Sequence, residues 1–164
     1  MTTIVQRRAA DTATDRTPSA AYERDFFAWT QDQAAKLRAR TAETGDVDWE
    51  NVAEEIEGVG ISEKREVRSR LEVLIVHLLK WQFQPDRRKH EWSDTITEQR
   101  RRLSMVIDDS PSLRTFPAAI LADLYDLAVM SATKETQMPR SVFPATCPFG
   151  IEEILDPEFL PEAA

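Results

Sequence analysis

The apolar residues of this chain recur every three to four positions and almost nowhere every two. Val67, Leu71, Leu74, Ile75 and Leu78 form the clearest stripe, with the i, i+3, i+4 spacing of a buried helix face. No segment sustains period-two alternation between hairpin turns, as a half-buried strand would. The chain therefore reads as an all-α bundle of about five helices, closed by a proline-rich C-terminal wrap.

The boundaries follow from caps and breakers. Residues 1–16 are polar without an apolar period and read as a flexible tail, leaving 17–164 as one helical domain. Thr17-Pro18 opens a first helix running to about Thr41, with Tyr22, Phe26, Trp29 and Leu37 inward. Asp48 caps a short second helix, with Trp49, Val52, Ala53 and Ile56 on one stripe and Gly58 and Gly60 as its stop. Ser62 opens a third helix that Pro85 ends. Trp92, Ile96, Gln99, Leu103, Val106 and Ile107 mark a fourth. Ser110-Pro111 starts a fifth, which begins at or is offset by Pro117. From Met138 prolines punctuate the chain, with one short helix over Ile151–Leu155.

Several function classes lose their usual support. There are only four glycines and no G-x-G-x-x-G or Walker segment, so a nucleotide phosphate cradle has no sequence signal. The net charge of −8 opposes broad nucleic-acid binding. The single Cys147 cannot form an internal disulfide and fits a reducing, cytoplasmic location; its proline-flanked loop suggests a small packed residue. The longest strongly apolar run, Val73 to Val76, is broken by His77, so no membrane association is expected.

Three groups of side chains stand out. Glu50, Glu54 and Glu57 line one flank of the second helix, with no Lys or Arg among residues 48–58. Carboxylates four apart repel, so they call for a metal, a cationic substrate, or pairing with Lys64, Arg65, Arg68 or Arg70. On the third helix His77 shares a strip with Arg70 and Trp81. With Glu54 it is a candidate acid/base pair, and with all three glutamates a candidate metal set. Equally, it is a core-edge histidine within a polar network including Trp49 and Trp92. Lastly, Arg87, Arg88, Lys89 and Arg100 to Arg102 lie near Trp81, Phe83 and Trp92, a pattern for single-stranded nucleic acid. Asp86, Glu91, Asp94 and Glu98 dilute it to a solvated surface. His90, in the charged connector, is a weaker candidate.

Asp48-Trp49-Glu50-Asn51, Glu54-Glu55-Ile56-Glu57, His77-Leu78-Leu79-Lys80-Trp81, Gln84-Pro85, Ser110-Pro111-Ser112-Leu113 and Cys147-Pro148-Phe149 occur in series. In this order, over about residues 22–162, they resemble the bacterial family called domain of unknown function 29. The resemblance implies a small, mostly helical cytoplasmic protein and supplies no catalytic residue or cofactor. The expectation is a non-enzymatic interaction or regulatory protein that self-associates or binds a protein partner, with four tryptophans and seven phenylalanines as anchors. The alternatives are a metal-dependent or acid/base enzyme working between the second and third helices and, more weakly, a nucleic-acid-associated protein.

Overall fold

The computed structural model describes residues 18–40 and 47–164, so the expected 1–16 tail lies outside the described residues. All the regular structure among them is helical. The order is α1 (Pro18–Arg24), α2 (Phe26–Arg38), α3 (Trp49–Phe83), α4 (His90–Asp109), α5 (Phe116–Thr136) and α6 (Ile151–Leu155). Three short 3₁₀ turns begin at Pro85, Pro111 and Arg140. The all-α class and the proline-rich wrap are as the sequence indicates.

Two boundaries differ, each for a tertiary reason. The first expected helix is broken at Asp25, whose carboxylate accepts from Ala28 N at 2.8 Å as the cap of α2. The same carboxylate accepts from Ser112 N at 2.6 Å and Ser112 Oγ at 2.9 Å, across the fold. The second and third expected helices are one continuous helix of 35 residues. Gly58 and Gly60 lie inside it. Gly60 is buried where α2 crosses, and a Cβ there would meet Thr30 Oγ1 at 2.0 Å. Its missing side chain lets the two helices touch, a packing role that outweighs the roughly 1 kcal/mol helix penalty of glycine.

α3 is the axis of the molecule. Asp48 caps it, accepting from Asn51 N at 3.1 Å. Its N-terminal part packs on α2, and its C-terminal part is enclosed by α4, α5 and the wrap. Val67, Leu71, Leu74, Ile75 and Leu78 are buried as their spacing requires, against Ile96 and Leu103 of α4 and Leu124, Ala128 and Val129 of α5. Each such fully buried aliphatic side chain contributes roughly 2 kcal/mol by leaving water.

The wrap is held at several points. Phe143 packs edge-on to Phe83 with ring centres 5.3 Å apart, and Phe149 packs on Phe159 at 5.9 Å. Tyr125 donates its hydroxyl to Pro144 O at 2.9 Å, and burial pushes its pKa up to about 12. Ala164 N donates to Gln82 O at 3.1 Å. Cys147 is half-buried and burial raises its thiol pKa, the reverse of what activates a nucleophile.

α5 has a mean hydropathy of 1.2 over an 18-residue window, apolar and long enough by composition to cross a bilayer, a signal the Val73–Val76 run does not give. Here Leu124, Tyr125, Ala128, Val129 and Ala132 of that helix form core.

Candidate functional site

The proposed cleft between a second and a third helix does not exist, because both stretches belong to α3. Glu54 and His77 are 23 residues apart on it, roughly 35 Å along the axis at 1.5 Å per residue. Glu50, Glu54 and Glu57 therefore sit at the opposite end from His77. Among the described residues no group of three or more His, Cys, Asp or Glu is placed to hold a metal ion.

The acidic flank finds a cation elsewhere than expected. Arg38, at the end of α2, bridges Glu50 at 3.1 Å and Glu57 at 2.6 Å. Lys64, Arg65, Arg68 and Arg70 are further along the same helix and cannot turn back to it. Lys64 lies over the Phe27 and Phe116 rings, at 4.7 and 5.4 Å. Arg70 pairs with Glu66 at 2.7 Å and donates to Gln99 at 3.3 Å.

His77 lies in a small groove between α3 and α5, with a cavity of about 180 Å³ lined by Glu72, Val73, Val76, Ser131 and Glu135. Its Nδ1 is 2.8 Å from Val73 O, which fixes the proton there and leaves Nε2 as an acceptor. Burial lowers its pKa from the usual value near 6.5; nearby Lys80 lowers it too, while the Val73 carbonyl and Glu135 oppose the shift. Ser131 donates to Glu72 at 3.2 Å. Beneath the groove Lys80 is almost fully buried. Its ammonium pairs with Glu135 at 2.7 Å and lies 4.7 Å from the centre of the Trp92 ring. Lys80 thus joins α3, α4 and α5 in one contact. The sequence patterns do not single out Glu72, Ser131 or Glu135 as site residues; Lys80 stands in the His77-Leu78-Leu79-Lys80-Trp81 motif, four residues after buried Val76.

The expected polar network divides into local contacts. Arg88 covers the Trp81 ring at 4.8 Å and donates to Trp81 O at 2.9 Å. Trp49 carries Arg40 over its ring at 4.8 Å, at the far end of α3. His90 is exposed and 3.6 Å from Asp94.

The arginine segment divides too. Arg101 and Arg102 hold Glu98, whose carboxyl they keep at about 2. Arg100 faces inward, buried, and donates to Ile154 O at 2.8 Å and, more distantly, to Glu153 O and Pro157 O. It closes the carbonyl end of α6, so it belongs to the fold.

A further concave surface lies at the other end. Tyr22, Glu23 and Phe26 from α1 and α2 face Glu63 of α3 and Asp109 at the end of α4 around a cavity of about 310 Å³. The Tyr22 ring stands edge-on to Phe26 at 5.5 Å and to Trp29 at 4.9 Å. Glu63 has a raised pKa, first from burial and then from neighbouring Glu66 and Asp109.

A protein-family profile described as "Domain of unknown function DUF29" matches residues 21–160. Among solved structures, the chain is similar to an alpha-helical protein of unknown function from Rhodospirillum rubrum ATCC 11170. The two share 27% sequence identity and a TM-score of 0.65, over 84% of this chain and 90% of that one. No curated protein matches the sequence.

Proposed function

The chain belongs to the DUF29 family, and from that premise we propose that it is a non-enzymatic interaction or regulatory protein of the cytoplasm, acting through self-association or a protein partner. One observation carries this reading. On the N-terminal part of α3, Val52 and Val59 stand on one stripe and are 38% and 50% exposed, with Ile56 half-buried between them. Clustered exposed apolar side chains on a soluble surface mark contact sites. Six of the seven phenylalanines do not supply the anchors: Phe27, Phe83, Phe116, Phe143, Phe149 and Phe159 all pack in or against the core.

The test is a photo-crosslinking amino acid placed at Val59 in the intact chain within its own cell, with a second at Glu158 on another surface. A discrete adduct at position 59 and none at 158, or a mass in sedimentation that grows with concentration, is the expected result. A monomer at all concentrations with no adduct at 59 overturns the reading.

A second reading has its own observation. His77 keeps an acceptor Nε2 and a lowered pKa in a groove that also holds Glu72, Ser131 and Glu135. These suit a general base acting on a small polar molecule. Saturable ligand-induced shifts of the His77 ring signals, screened across small polar metabolites, are its expected result; unmoved signals throughout sink it.

A further inference from the structure

α4 lies along one face of α3. Arg70 meets Gln99, and Lys80 meets Trp92; Asp109, the last residue of α4, comes level with Glu63. At about 100° per residue, 18 residues make five whole turns. Val52 precedes Arg70 by 18 residues, and Ile56, Val59 and Glu63 follow Val52 at i+4, i+7 and i+11, on the same side of the helix. The face of α3 that α4 covers therefore continues beyond the end of α4 as Val52, Ile56 and Val59. Among the described residues no helix covers it there: Val52 and Val59 are exposed and Ile56 is half-buried. The open length, from Trp49 at the start of α3 to Glu63, is roughly 20 Å at 1.5 Å per residue, about that of a four-turn helix.

The surroundings set the chemistry of what fits. Residues 48–63 carry six carboxylates and no Lys or Arg, and Arg38 of α2 pairs with two of the six, Glu50 and Glu57. Where the open stripe meets the end of α4, the 310 Å³ cavity presents three carboxylates, Glu23, Glu63 and Asp109, beside the Tyr22 and Phe26 rings, and among the described residues no basic side chain lines it. Carboxylates with aromatic rings are the complement of a Lys or Arg side chain. A second copy of this chain, net −8, would set the same carboxylates against each other.

Resting on the interaction reading above, we propose that this groove docks one basic amphipathic helix of a partner protein. The helix prolongs the line of α4, lays its apolar side on Val52, Ile56 and Val59, and sets a Lys or Arg between Glu63, Asp109 and the Tyr22 and Phe26 rings. This is helix-in-groove recognition with an acidic anchor at one end.

The experiment uses the full chain and an 18-residue synthetic helix of leucine and lysine, with leucines on one face. Titration is followed by calorimetry and by amide chemical shifts. One-to-one binding is expected, with shifts centred on Tyr22, Phe26, Val52, Ile56, Val59 and Glu63. Val52→Gln/Val59→Gln weakens it at least tenfold. Glu63→Gln/Asp109→Asn weakens it tenfold or more and flattens its salt dependence, while Met130→Gln leaves it unchanged. No binding, or binding indifferent to both double variants, overturns the proposal, as do shifts spread over the whole acidic surface. A dimer that Val52→Gln/Val59→Gln dissolves gives the face to a second copy; that overturns the basic-helix proposal and leaves the interaction function standing.

Discussion

Gly60 and Thr30 meet with no room for a methyl group between them: a Cβ added at Gly60 would fall 2.0 Å from the threonine hydroxyl oxygen. Thr30 cannot simply swing away, because its hydroxyl donates to Phe27 O at 2.7 Å. Gly60→Ala should therefore lower stability by about 1–2 kcal/mol, overpacking exceeding the helix-propensity gain. Thermal melting checks this, and Thr30→Ala added to Gly60→Ala should recover most of the loss.

Gly58 is the internal control. A Cβ there meets nothing within 4 Å. Gly58→Ala should raise stability by roughly 0.5–1 kcal/mol, since alanine orders a helix at less entropic cost. Equal effects at positions 58 and 60 would refute the close crossing.

Arg100 ties α4 to the carbonyl end of α6 from a buried position. Arg100→Met should cost about 2 kcal/mol, leaving the Ile154 carbonyl without its charged donor. Limited proteolysis should then cut within residues 138–164, which wild type protects. Arg101→Ala and Arg102→Ala, whose partner Glu98 is at the surface, should change melting little. A triple alanine across 100–102 is accordingly no clean probe of nucleic-acid binding.

Lys80 and Glu135 form an unequal pair, the lysine side chain 11% exposed and the glutamate 47%. Removing the carboxylate strands a nearly buried ammonium, whereas replacing the lysine removes the charge that needed pairing. Glu135→Ala should thus destabilise by about 1–2 kcal/mol, after allowance for the solvent around the glutamate. Lys80→Met, which keeps a chain against Trp92, should cost less. Urea unfolding of both variants decides the order.

His77 makes stability depend on pH in one direction. Its pKa is lower folded than the ordinary value near 6.5, through burial first, with Lys80 adding to the effect and the Val73 carbonyl and Glu135 opposing it. Its contribution is therefore intact above that value and is lost as pH falls below it, because the unfolded chain binds the proton first. His77→Asn should flatten that part of the stability curve relative to wild type. Glu72 and Glu135 face the same groove, so the comparison is the difference between the two curves.

What the sequence conveys is local. The Val67–Leu78 stripe, the Asp48 cap and the Ile151–Leu155 helix all depend on neighbours within a few residues, and the structure has all three. The glycines mislead because Gly60 answers to Thr30, thirty residues earlier, and a glycine that permits contact looks like one that ends a helix. Asp25 breaks an apolar period because Ser112 holds it from 87 residues away. Arg100 is legible in part: it stands four after Ile96 and three before Leu103, both buried, but its charge argues for the surface. The pairing of His77 with the glutamates depends wholly on a chain reversal at Gly58–Gly60 that does not occur.

A long rod with unequal footing has unequal endurance. The C-terminal part of α3 is enclosed by α4, α5 and the wrap, while among the described residues its first turns pack chiefly on α2. Backbone amide exchange should consequently grow faster toward Trp49 along a single unbroken helix. The outer end is free to fray and re-form without disturbing the interior lysine.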